Sequence, residues 1–251
     1  LYFVTPCVVI DAFHREFDPA LLTNLGITAL CAVCIHIFSV ALAAAVFRDK
    51  DASRCCVLRF GTVFSNCGFV FYGAVFVAIF NLVLWSYGVL VMSGDKKTLS
   101  PAKLLLNPGV VGVVAGFLLF VFSVKLPQVI SAPVDYMASL NTPLPMLIIG
   151  FYLSRTNLKQ ALLDKRQYLA IALRLVVIPL CTLVLMYILH IRGVILVACV
   201  IAASAPVAAA TTMFATKFDR DTALSVNMVS LSTLFSLITM PLIVGLAQTL
   251  A

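Results

Sequence analysis

The sequence predicts an all-helical protein that crosses a membrane many times, and three observations carry that prediction. Hydrophobic residues make up 63% of it and charged ones only 11%, with a mean hydropathy of +1.12, where a soluble domain carries roughly a quarter charged residues. Its apolar stretches reach the ~20 residues that a helix needs to cross the hydrocarbon core. Its basic residues also alternate from side to side. If Arg48, Lys50, Arg54 and Arg59 form a cytoplasmic loop, then Lys96, Lys97, Lys103, Arg155, Lys159, Lys165, Arg166, Lys217 and Arg220 fall on that side too. Those are 13 of the 17 basic residues; the other side receives Arg15, Lys125 and Arg192, and Arg174 lies within a span. Positive charge retained on the cytoplasmic face sets orientation, and this layout puts the C-terminus outside.

The elements follow in order. LYFVTPCVVIDAF reads as the remainder of a helix carrying Pro6, with the start of the sequence truncated, and the polar turn at His14 to Pro19 closes it. Ala20 to Phe47 is a full span, followed by the basic loop Arg48 to Arg59. The apolar run from Cys56 is interrupted by Ser65, Asn66 and Gly68 and then continues to Met92, too long for one span and too short for two with a loop. A piece is expected to be missing near Phe69 or Val70. After the polar loop Ser93 to Lys103, five spans are expected over Leu104–Val124, Pro127–Ser154, Gln167–His190, Gly193–Thr216 and Asp221–Thr249.

The chain is organised around two interruptions. Pro206 stands inside SAPVAAATT, where it removes a backbone donor and clashes with the preceding turn, so the helix must break or kink there. Broken backbone is tolerated in a bilayer only where protein buries it or where it lines a wet cavity, and in secondary transporters such ends hold the substrate or a coupling ion. The plainer reading is a kink repaired by neighbouring helices. The SNCG interruption at Ser65 to Gly68 is the second such place.

Comparison of the halves shows an ordered repeat. Val4, Thr5 and Pro6 match Asn141, Thr142 and Pro143; SNCG matches the Pro206 segment; Asn81 matches Asn227. Each half is then a five-helix unit with the break in its fourth helix, and an odd number of helices inverts the second half. Residues 1–93 form the first, incomplete repeat, 94–103 a cytoplasmic linker, and 104–251 the second repeat.

NPGVVGVVAGFLLF from Asn107, the KLP at Lys125 to Pro127, NTPLPMLIIG from Asn141, SAPVAAATTMFATKFDRD from Ser204 and SLSTLFSLITMP from Ser230 together resemble the auxin efflux carrier family. That family includes bacterial malonate and related carboxylate carriers and, more distantly, the plant PIN-type auxin exporters. The resemblance implies ten helices in two inverted repeats, a scaffold and a transport subdomain, and two crossover helices around Asn66 and Pro206, a plan shared with sodium/proton antiporters and bile acid symporters. The sequence departs from the family where the first helix has no counterpart and where Val70 replaces a second half-helix after SNCGF.

Several residues are candidates for the substrate site. Asn66, beside Ser65 and Gly68, offers amide donors suited to a carboxylate. Around Pro206, freed amides and the next half-helix's N-terminus would face an anion, with Thr211 and Thr212 close by; those hydroxyls could equally bond back to their own helix. Asn81 and Asn227 either line the cavity or join helices. Pro143 and Pro145 kink the helix beside the site. Arg174 invites an anion contact but can also snorkel to the cytoplasmic end. His36 could relay protons or sit as a satisfied core histidine, and Asp135 reads as an interfacial cap.

These features favour a secondary transporter moving a small organic anion such as a mono- or dicarboxylate, embedded in lipid of a bacterial plasma membrane and compatible with a homodimer. No cofactor is expected beyond Na+ or H+ as a coupling ion, and no catalytic cluster or nucleotide motif argues for an enzyme. No basic stripe with interleaved aromatics argues for nucleic acid. A sodium- or proton-coupled carrier of the bile acid type and a non-transporting ligand sensor are the alternatives. The Cys31–Cys34 spacing lacks a partner pair and reads as helix packing.

Overall fold

The computed structural model describes residues 3–14, 19–66, 71–95, 108–141, 143–154 and 164–251, and these are helical almost throughout, with no named strand among them. In chain order the helices are α1 (Val4–Phe13), α2 (Pro19–Val46), α3 (Ala52–Val63), α4 (Phe71–Val83) and α5 (Val89–Ser93), the last two joined by a π turn at Leu84–Gly88. Then come α6 (Pro108–Val121), α7 (Gln128–Ser139), α8 (Pro143–Leu153) and α9 (Lys165–Ala172). A π turn at Leu173–Val177 leads into α10 (Ile178–Ile188), followed by α11 (Gly193–Ser204), α12 (Ala210–Lys217) and α13 (Thr222–Leu250). Three continuous stretches, Thr23–Val46, Lys165–Ile188 and Thr222–Leu250, are long and apolar enough to cross a membrane unaided. Leu30, Ile37, Ile188, Leu237, Ile238 and Leu242 project from them with more than 60% of their surface exposed, as side chains that meet lipid do. The protein is a polytopic integral membrane protein.

The structure corrects the sequence reading in two places. The basic stretch 52–59 belongs to α3 rather than to a loop, because Asp51 caps that helix, its carboxylate accepting from the amides of Ser53 (2.9 Å) and Arg54 (3.3 Å). The span expected over Pro127–Ser154 is two helices, α7 and α8, with a turn at Leu140 and Asn141 between them. Pro143 and Pro145 cannot donate the amides that would continue the ladder. The proposed missing piece at Phe69–Val70 lies outside the described residues, as do Gly68 and residues 96–103 of the linker.

The two ends of the bundle sort by charge. At one, Asp51, Asp164 and Asp221 cap α3, α9 and α13, where negative charge suits the helix dipole. There Arg54 pairs with Asp164 at 2.5 Å, Arg166 pairs with Asp49, and Arg220 donates to the carbonyls of Met92 (2.7 Å) and Ser93 (2.9 Å). At the other end, the Leu126 amide donates to His14 Nε2 (3.1 Å) and the Gly193 amide to the Ala251 carbonyl (3.3 Å). The loops that alternation assigns to one side are thus the ones that touch.

Packing divides the helices. α1 lies against α6 and α7, while α2 to α5 and α8 to α13 form a larger body; α1 and α6 meet that body at α4, where Val9, Phe13, Leu25, Val77 and Phe120 make one small core. Lipid tails are as apolar as leucine, so helices associate here through close van der Waals contact, which small residues permit. Gly112 and Gly116 of α6 supply it: a Cβ at Gly112 would stand 2.6 Å from Pro6 Cα, and one at Gly116 would stand 3.2 Å from Phe13 Cβ. In the larger body, Phe60, Phe64, Phe214 and Trp85 form a chain of rings with centroids 4.4–5.7 Å apart.

Gly112→Ala should therefore push α1 away from α6 and destabilise the protein by about 1–3 kcal/mol. Gly150→Ala, where nothing lies within 4 Å, should change stability by less than about 0.5 kcal/mol. Thermal unfolding in detergent compares the two; equal melting temperatures would contradict the close-contact account.

Candidate functional site

α3 and α11 both stop inside the bundle, and the extended segments that follow them cross. Phe64 leaves α3 in an extended conformation, and Ala205 leaves α11 likewise. Ser65 and Val207 then form an antiparallel bridge: the Asn66 amide donates to the Pro206 carbonyl (2.7 Å) and the Ala208 amide to the Phe64 carbonyl (2.9 Å). The Val207 amide donates to Ser232 Oγ of α13 (3.0 Å). Pro206 has no amide to satisfy, which suits the crossing. The chain resumes as α12 at Ala210.

Helix ends also leave carbonyls unbonded, and Arg174 gathers those of both breaks. Its Nη1 donates to the carbonyls of Thr62 (3.4 Å) and Val63 (3.2 Å), its Nη2 to Ala202 (3.5 Å) and Ala203 (2.6 Å), and its Nε to Ala205 (3.2 Å). The side chain is 2% exposed and starts from the π turn that precedes Pro179. Arg174 therefore does not snorkel to the basic end.

A cavity of about 260 Å³ opens beside the crossing, between the α1 body and the larger one. Its walls are mostly apolar, among them Val8, Val77, Phe80, Leu84, Leu144 and Ile148. Its polar lining consists of Thr5, Ser65, Asn66, Asn81 and Asn141, with the backbone of Ala208, Ala209 and Ala210 at the start of α12. None of the described residues that line it is charged. A second cavity of about 470 Å³, lined by Leu147, Phe151, Tyr152 and Thr216, shares Ile148 and Met213 with the first and leads toward Lys217.

The structure brings Ser65, Asn66 and Asn81 together at the cavity. The Asn66 side chain is exposed there, whereas Asn81 is buried and its amide donates back to the Val77 carbonyl (2.9 Å). Pro206 shapes the wall without lining it, and Pro143, the first residue of α8, does not line it either. Thr211 and Thr212 are fully buried and point away, with Thr212 Oγ1 accepting from Ser225 of α13 at 3.4 Å. Asn227 is buried outside the lining, and its Nδ2 has no partner among the described residues. Arg174 touches backbone and does not line the cavity; Gly68 lies outside the described residues. His36 is a buried core residue, its Nδ1 2.7 Å from the Ala32 carbonyl and its ring against Phe76. Thr5 and Asn141 are polar lining residues that the sequence reading did not select as site residues, and the apolar walls, Met213 among them, were not selected either. The match of Val4–Pro6 with Asn141–Pro143 contained the signal for Thr5 and Asn141, because both ends of that match reach the wall.

A comparison with curated proteins finds no match. A family model described as membrane transport protein matches residues 95–244, more than half of the chain, including Arg174 and the whole second break. With an all-helical apolar bundle around it, that match establishes that the chain belongs to the auxin efflux carrier family of membrane transport proteins.

Proposed function

We propose that this protein is a secondary transporter that carries a small organic anion, a mono- or dicarboxylate, by alternating access, and that the cavity beside the crossing is its binding site. The observation that carries the reading is the position of Asn66. It belongs to a break whose backbone is satisfied by the other break, and it presents its amide to an enclosed, mostly apolar space. Amide N–H groups of Asn66 and Asn141 can donate to a carboxylate, the Thr5 hydroxyl can do the same, and the α12 N-terminus adds partial positive charge. The apolar walls suit the carbon body of the substrate. An uncharged lining holds an anion without the strong ion pair that would slow its release.

The same geometry supports two inverted repeats, 1–93 and 104–251, joined by 94–103. Each half contributes one interrupted helix, the two meet in an antiparallel bridge, and the corresponding residues Val4 and Asn141 both line the cavity. We read the end bearing Arg54, Arg166 and Arg220 as cytoplasmic, with the C-terminus outside and the membrane a bacterial plasma membrane. The second cavity is then the cytoplasmic passage, and Met213 and Ile148, common to both, form the constriction between site and exit.

Malonate, succinate and acetate, tested one at a time on the purified protein in detergent, should include at least one that raises the melting temperature, since a ligand of the folded state stabilises it as RT ln(1 + [L]/Kd). Asn66→Ala and Asn141→Ala should each weaken that ligand by about tenfold or more, the loss of a hydrogen bond to a charged group. A well-folded protein that responds to none of these anions would count against the anion reading.

Thr216→Trp, which narrows the second cavity alone, should leave the ligand-induced shift unchanged and slow malonate uptake into proteoliposomes by about tenfold, a barrier increase of about 1.4 kcal/mol. Unchanged uptake would place the passage elsewhere.

A further inference from the structure

Five main-chain carbonyls converge on one point between the two breaks. Thr62 and Val63 belong to the C-terminal end of α3, Ala202 and Ala203 to that of α11, and Ala205 to the extended segment beyond it. A helix C-terminus carries about half a negative charge, so two such ends aimed at one place call for about one positive charge. In carriers with broken helices, unwound carbonyls and half-helix C-terminal ends are the groups that bind a coupling cation. Here the position is filled by a side chain. Arg174 Nε, Nη1 and Nη2 all donate into the cluster, the guanidinium is permanently protonated, and the side chain is buried in place.

We infer that Arg174 is a built-in cation that occupies the coupling-ion position of the crossing, so that anion binding and transport by this protein proceed without sodium. The inference rests on the transporter reading for what is carried, but the occupied cation position stands on the carbonyl geometry alone. It also separates Arg174 from the anion site: its guanidinium donates to carbonyls behind the cavity wall, and Arg174 is not among the lining residues. Arg174 is a positioning residue.

Two measurements test this. In the first, the melting temperature of the unaltered protein is followed while sodium chloride replaces choline chloride at constant ionic strength. No saturable change is expected, and a saturable rise with sodium overturns the inference. The second uses Arg174→Ala, which empties the position while leaving the five carbonyls. Its melting temperature should fall, and guanidinium or sodium added at tenfold its Kd should restore about 3–6 °C, whereas choline should restore nothing. A folded Arg174→Ala protein indifferent to both cations overturns the inference, since a merely structural arginine leaves no cation site behind. If Arg174→Ala folds only when expressed and purified with guanidinium present, that supports it; if it never folds, the sodium titration of the unaltered protein decides. Neither measurement requires a transported anion, so failure of the carboxylate screen and failure of the cation site are separable. Where malonate uptake is detected, equal rates with and without a sodium gradient are expected.

Discussion

A polypeptide inside a bilayer has no water to complete its hydrogen bonds, and the rest of this structure depends on how that constraint is met where α3 and α11 stop. Each break exposes amides and carbonyls that its own helix cannot use. The two segments answer one another through the Asn66–Pro206 and Ala208–Phe64 bonds, Ser232 takes the Val207 amide, and Arg174 takes five carbonyls. Two interruptions that would each be costly alone form one closed hydrogen-bonded unit. The unit is rigid because its members over-determine it, and that rigidity fixes Asn66 at the cavity wall.

Around the unit the packing is unequal in a useful way. α13 touches α3, α11 and α12, with Met228 pressed against Gly61 and Ser232 bonded to Val207, so one long helix braces both breaks. α1 is held to α6 by glycine-permitted backbone contact and also lies on α7, and α1 and α6 meet the braced body at α4 beside the cavity. A cavity at such a seam can change shape when the two sides move relative to one another. The polar groups of the cavity come from both sides: Thr5 and Asn141 from one, Ser65, Asn66 and Asn81 from the other.

Much of this was legible in the sequence. Hydropathy and charge alternation gave the membrane class and the sorting of loops, and a proline among small residues marked the second break. What was not legible shares a physical cause. Arg174 looked like a charge in search of an anion because its actual partners are main-chain carbonyls, which every residue has and no sequence advertises. They become acceptors only once the ends of α3 and α11 are known to meet. Thr211 and Thr212 were close enough to Pro206 to suggest the cavity. The chain leaves Pro206 in a new direction, however, and helical phase cannot be extrapolated through a break. Asn141 carried no site signal of its own in the sequence, because only the turn between α7 and α8, which the sequence reads as one continuous span, brings it to the cavity. The start of α3 was missed because four basic residues suggested a loop, while one aspartate at position 51 was sufficient to begin a helix.

The crossing also constrains how the protein is made. Thr62 and Arg174 lie 112 positions apart, and a ribosome adding about 5–20 residues per second separates their emergence by roughly 5–20 s. During that interval α3 sits in or near the bilayer with the carbonyls of its broken end unmatched. An order of assembly is thereby written into the chain: the second half does not dock onto a finished first half, but completes it.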